Sequence, residues 1–353
     1  MPHSAAEHQN AFHRALTRLV NGGRPGRVAS EPAVQARPEG LVRAYRQLRD
    51  AAPEPAAPVT VDVAPYEGDN AHVRRLGAYL RRALGGDLAR DLAGAYVHGS
   101  LGSYEEVPYS DLDALVILND GAFRSPARLA RTARALGRAR AFMYAHDPLQ
   151  HHGWFVLTEA DLRSHCEAYF PAVLFRYAKS LLPGQGERLT LWPRDSSRET
   201  LEAFRSLAAA VAVELDRGRP PADLYALKNL LSRFMLLPSL YVQVRDGEGV
   251  WKADSFDRAR PDFPRAEWDS MEVASHIRAV WRYRLPGVQR RLMASAAPWG
   301  GYLRKRLPTP IPKPIAALLT RELLGGMAGL VARMQRRVEA GRHLSIEPSG
   351  AAS

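Results

Sequence analysis

The chain has 353 residues, 46% hydrophobic and 24% charged, an ordinary globular composition with enough length for two domains and a sizeable core. Its single cysteine, Cys166, excludes an intramolecular disulfide framework and a cysteine zinc cluster. Lys plus Arg is 49 against 37 Asp plus Glu, a net charge of +12 carried mainly by arginine. This suits an anionic partner, but the arginines are scattered along helical segments without interleaved aromatics, which favours a compositional bias over a nucleic-acid surface.

In chain order, residues 1–57 are expected to form a peripheral extension, partly disordered and partly helical. Met1 to Asn10 is polar and carries no secretory signal, so a cytoplasmic location is expected. Helices are predicted over 5–20 and 40–49, separated by the breakers in 21–26 and 31–38 and followed by an Ala/Pro linker over 51–58. Residues 59–63 alternate as a strand. Asp69-Asn70 caps a helix over 71–84 that Gly85-Gly86 ends. Strands follow over 93–98 and at the apolar run around 115–118. Ser125-Pro126 opens a helix to about Tyr144, and a strand is predicted over 150–157. Thr158-Glu159-Ala160-Asp161 is a capping-box start for a short helix to about Tyr169. No strand signal of that quality follows. Helical periodicity covers 201–215, 222–244, 266–284 and 315–339. Within the last of these, Gly325, Gly326 and Gly329 permit close packing. Arg321 and Glu322 interrupt its apolar run, so no transmembrane segment is expected. The fold class is α+β: a small mixed β-sheet domain with flanking helices over 58–190, an α-helical domain over 191–345, and a disordered tail over 346–353.

The most informative stretch is Val97-His98-Gly99-Ser100, then ten residues, then Asp111-Leu112-Asp113 at the start of the apolar run. Strand side chains alternate, so Asp111 and Asp113 point the same way. Two carboxylates on one face repel unless a cation lies between them, and a hard divalent ion takes such oxygen ligands together with substrate phosphates. Gly99 allows close backbone approach, and Ser100 adds a hydroxyl to an anion-binding concavity. Phosphate on one side and metal on the other is the reading.

These residues resemble the nucleotidyltransferase superfamily of the DNA polymerase beta-like, bacterial minimal and aminoglycoside adenylyltransferase type. The pattern is a hydrophobic strand, Gly-Ser, about ten residues, then Asp-x-Asp; the serine before the first aspartate, Ser110, also matches. The motif covers about twenty residues. The resemblance implies transfer of a nucleoside monophosphate from an NTP, ATP first among them, to a hydroxyl of a small molecule or protein. It implies Asp111 and Asp113 as ligands of Mg2+ (or Mn2+), and Gly99, Ser100 and Ser110 at the nucleotide.

Relatives carry a third carboxylate on the next strand, and here that strand has none in its middle. Asp147 precedes it, and His151 and His152 lie within it; any of the three could take the role. Alternation puts Gln150, His152 and Trp154 on one face, which makes His152 the polar-face candidate. For the triphosphate, Lys228 and Ser232 lie four apart on one predicted helix face with Arg233 beside them, and Lys252 lies near a helix start. Two alternatives accompany this reading: an enzyme adding nucleotides to an RNA end, suggested by the charge, and an inactive nucleotide-binding module, suggested by the missing carboxylate.

Overall fold

The computed structural model describes residues 5–22, 37–50, 57–83 and 90–345. The breakers over 23–36, the linker over 51–56, the Gly85-Gly86 stop and the tail over 346–353 lie outside the described residues. Helices and two small sheets make a mixed architecture compatible with the α+β class. The chain forms two compact units. The first comprises Met1–Cys166, Leu174–Arg194 and Leu285–Leu307; the second comprises Glu167–Val173, Asp195–Arg284 and Pro308–Ser353. The sequence pattern suggests one crossing near residue 190, whereas the chain returns to the first unit at Leu285–Leu307.

The first unit begins with α1 (Ala5–Val20), α2 (Pro38–Asp50), β1 (Val59–Asp62) and α3 (Ala71–Ala83). Then come β2 (Leu92–Val97), the single turn α4 (Gly99–Gly102), β3 (Ala114–Leu118), α5 (Pro126–His146), β4 (Phe155–Thr158) and α6 (Glu159–Arg163). The short α7 (Val173–Tyr177) leads into β5 (Lys179–Ser180) and β6 (Arg188–Leu191). Four strands form one sheet in the order β4-β3-β2-β5. β3 and β4 run parallel, while β2 is antiparallel to both its neighbours. β1 and β6 make a separate antiparallel pair. β5 and β6 are the strands the sequence pattern does not announce, since two and four residues are too few for a clear alternation.

Every residue of β3 is buried. Ala114, Val116 and Leu118 face a core shared with α1, α2, α3 and α5. Phe12, Leu16 and Val20 of α1 and Leu41 and Tyr45 of α2 lie in that core. Within the first 57 residues, the described helices α1 and α2 thus pack into the core of the first unit. Each such side chain gives about 1.5–3 kcal/mol on burial, so α1 and α2 hold the sheet rather than decorate it. α5 is capped by Ser125, which accepts from the Arg128 N–H, with Pro126 supplying the fixed φ of the first turn.

The expected capping box forms: Thr158 N–H and Oγ1 donate to Asp161 Oδ2, and Asp161 N–H donates back to Thr158 Oγ1. The helix stops at Arg163 rather than near Tyr169. His165 turns its backbone to residues 192–194 instead, donating to the Trp192 carbonyl at 2.8 Å and accepting from Arg194 N–H at 3.0 Å.

The second unit is helical: α8 (Ser197–Leu215), α9 (Leu224–Phe234), α10 (Leu237–Asp246), α11 (Lys252–Ala259) and α12 (Arg265–Ala279). The periodicity over 222–244 is split at Met235-Leu236, because Pro238 lacks the N–H a continuous helix needs. The chain then gives α13 (Gly287–Met293) and α14 (Pro298–Arg306) to the first unit before α15 (Lys313–Ala316) and α16 (Arg321–Ser345). α16 packs on α8, α10 and α12. Of the three glycines noted there, only Gly326 lies against another helix: a Cβ on it would stand 3.3 Å from Ser270 Cβ of α12. Among the described residues no helix is long and apolar enough to cross a membrane.

Candidate metal centre

The site is built where two neighbouring strands meet end to start. β2 ends at Val97, opposite Ala114, the first residue of β3. His98 N–H donates to the Asp113 carbonyl at 2.9 Å and carries the ladder one step further. The chain then turns at Gly99, whose φ is +64°. A Cβ at Gly99 would stand 2.6 Å from Asp113 Oδ2. Glycine is thus required twice, for the left-handed backbone and for the room beside the carboxylate.

Asp111 and Asp113 sit in the extended segment just before β3, with Leu112 between them fully buried. Alternation therefore turns both carboxylates away from the core, toward His152. His152 Nε2 lies 2.9 Å from Asp113 Oδ1 and 3.4 Å from Asp111 Oδ2. One ligand atom from each residue falls within 4.8 Å of the others, so the three could hold a metal ion. Their side chains are 9% exposed for Asp111 and 26% for Asp113 and His152, sheltered yet open to an entering ion.

His152 is not on a strand. β4 starts at Phe155, and the strand expected from residue 150 is irregular until then. Side chains hold this stretch in place of a ladder. Gln150, fully buried, accepts from Leu112 N–H through Oε1 at 3.0 Å, and donates through Nε2 to the Leu112 carbonyl at 3.1 Å and the His152 carbonyl at 3.2 Å. One amide thereby fixes the residue between the aspartates and the residue that bears the imidazole. Asn21, at the end of α1, exchanges two hydrogen bonds with the Trp154 backbone at 2.8 and 3.0 Å.

No protein-family model matches the chain, and no curated protein matches it.

The charges of the site follow from its geometry. Burial disfavours a charged His152, but the Asp113 and Asp111 carboxylates outweigh it and lift its pKa well above the ordinary value. Burial likewise acts to raise the carboxyl pKa of Asp113, and the imidazole beside it brings the net value below the usual one. The two aspartates thus draw positive charge between them, the demand a divalent cation also meets. His98, buried beneath the turn, is pushed down to about 4 by loss of water despite the attraction of Asp113, so it stays neutral at pH 7.

The other expected site residues fall into three groups. Ser100 and Ser110 are joined by a 2.8 Å hydrogen bond between hydroxyls, and Ser110 Oγ also accepts from Val107 N–H, so both pin the loop between the turn and the aspartates. Asp147 ends α5, and its Oδ1 accepts from Leu149 N–H at 3.0 Å; His151 packs edge-on against the His152 ring at 4.9 Å. Neither Asp147 nor His151 belongs to the Asp-Asp-His group. Trp154, expected on the face of His152, is buried instead and donates to the Leu136 carbonyl. Lys228 and Ser232 on α9 and Lys252 at the start of α11 belong to the second unit, and Lys228 is itself buried.

One cation in the first unit escapes a reading of the sequence. Lys179 on β5 pairs directly with Val97, two residues before Gly99, and its Nζ lies 5.7 Å over the Tyr104 ring. Its signal was its rarity: lysine is scarce in this arginine-rich chain. The strand that carries it is too short to be seen in the pattern.

Proposed function

We propose that the protein is a divalent-metal-dependent nucleotidyltransferase that moves a nucleoside monophosphate from an NTP, ATP in the first instance, to a hydroxyl of a small molecule or a protein. The observation that carries this reading is the fit of Gly99 against Asp113. The turn presents bare backbone to a carboxylate that shares its cation demand with Asp111, in a group that His152 completes. A phosphate chain needs that combination of a close, side-chain-free approach and a metal-ligating face.

In the reaction the acceptor oxygen bonds to the α-phosphorus, the α–β phosphoanhydride bond breaks, pyrophosphate leaves and the hydroxyl proton passes to solvent. Asp111, Asp113 and His152 would hold the metal, whose role when bound is to neutralise phosphate charge and orient the reacting groups. Gly99 keeps the phosphate path clear, and Lys179 adds a cation on the neighbouring strand. His152 supplies the polar group that the third carboxylate supplies in the resembling family.

The test is incubation of the full chain with α- and γ-labelled NTPs and a divalent ion, with the Asp111→Asn/Asp113→Asn double variant beside it. Pyrophosphate release and transferred α-label are expected from the wild type alone. Release that survives the double substitution overturns the assignment.

A further inference from the structure

We infer that His152 is a metal ligand rather than a general base, and that it turns the site from Mg2+ toward divalent first-row transition ions such as Mn2+ and Co2+. The inference rests on the proposed metal centre and names the ion that centre prefers.

Three observations carry it. First, the nitrogen that faces both carboxylates is Nε2, at 2.9 and 3.4 Å. A base that serves an acceptor hydroxyl would instead need this nitrogen turned toward the substrate. Second, the other ring nitrogen, Nδ1, lies 3.3 Å from the Gly153 carbonyl. A carbonyl only accepts, so Nδ1 carries the hydrogen and a neutral ring leaves its lone pair on Nε2. A metal-bound histidine is oriented in just this way, with its second nitrogen donating to a backbone carbonyl. Third, the irregular segment that bears His152 is tied by Gln150 to the backbone between the two aspartates. All three donors are therefore held relative to one another before an ion arrives.

The preference follows from the donor set. Mg2+ is small and hard, demands octahedral oxygen ligation and gives up water reluctantly. An imidazole nitrogen suits first-row transition ions, and carboxylates suit Mn2+ as well as Mg2+. Two carboxylates with one imidazole are thus a mixed oxygen and nitrogen set. It keeps the charge of a hard site while giving later divalent ions a ligand that Mg2+ uses poorly.

The experiment uses the full chain, stripped of metal with a chelator and titrated with MnCl2, CoCl2 or MgCl2 alone, with affinity read by calorimetry. The Mn2+ complex is also examined for nitrogen coupling by pulsed electron paramagnetic resonance. The wild type should bind Mn2+ and Co2+ at least about tenfold more tightly than Mg2+ and should show imidazole nitrogen coupling. His152→Asp should lose the coupling and bring the Mn2+ to Mg2+ ratio down by about the same factor. The coupling measurement on the wild type does not depend on that variant folding. Bound Mn2+ without nitrogen coupling, or equal affinities for the three ions, overturns the inference and leaves the nucleotidyltransferase reading standing. Failure of every ion to bind overturns both. Nitrogen coupling with no nucleotidyl transfer supports the inference and removes the enzyme.

Discussion

The three side chains of the candidate metal centre reach one point by two kinds of support. Asp111 and Asp113 stand at the base of β3, where the backbone ladder to β2 extends to His98 and fixes their direction. His152 stands on a stretch with no ladder, held by Gln150, Asn21 and the cap formed by Asp147. A ladder shares its load among many peptide groups. A loop held by side chains concentrates it, so single substitutions should damage the second support far more than the first.

Gln150→Ala is the strongest attempt to break that contrast. It strips the buried Leu112 N–H and carbonyl of the Gln150 amide. A buried polar group left unsatisfied costs about 1–3 kcal/mol, so the loss should reach about 3 kcal/mol or more in denaturant melts. Metal affinity by calorimetry should fall about 10- to 100-fold in the fraction that folds, as when support behind a ligand is removed. A variant with wild-type affinity would show that the loop needs no clamp.

Gly99→Ala probes the ladder side. The left-handed backbone costs about 1–2 kcal/mol for alanine, and the added methyl presses on Asp113 Oδ2. Metal binding should weaken even where the melting temperature drops by only a few degrees.

A third test acts on the far end of β4. Asp161 holds Gln9 and His13 of α1 through Oδ1, and the Thr158 cap through Oδ2. Burial acts to raise its pKa, but His13 and these hydrogen bonds bring the net value below the ordinary one. A depressed folded pKa gives stability that is present above the unfolded value, about 3.9, and is lost as pH falls through the lower folded value. Asp161→Asn should therefore cost about 1–2 kcal/mol near neutral pH and flatten the acid limb of a melting-temperature profile below about pH 4. An unchanged acid limb would show that α1 does not depend on this carboxylate.

Ser100→Ala should give the smallest effect, about 1 kcal/mol, since Ser110 keeps its bond from Val107. A larger loss in nucleotide binding than in stability would place the hydroxyl on the substrate as well.

The same contrast explains what could be read in the amino-acid order. Gly99, Asp111 and Asp113 are legible because each role admits few residue types: a left-handed turn, and two acids one pleat apart. Alternation also picked His152 over His151, although the strand assumed for it does not exist. Gln150 was not legible as a clamp, because an amide with buried partners looks like any polar residue until the backbone of Leu112 is brought beside it. The core role of α1 and α2 was hidden for a related reason. Phe12, Leu16 and Val20 announce a helix with an apolar stripe, but a stripe does not say which sheet it covers.

The return of Leu285–Leu307 to the first unit bears on how this chain can be cut or exchanged. Arg304 of α14 lies with its guanidinium 3.6 Å over the Tyr144 ring and donates to the Met293 carbonyl, and the Ala296 carbonyl accepts from Arg140. A fragment ending after Arg194 would lose these partners of α5, the helix whose end leads into the His152 segment. Neither unit is a contiguous cassette, so recombination that swaps whole stretches at one breakpoint would leave both incomplete.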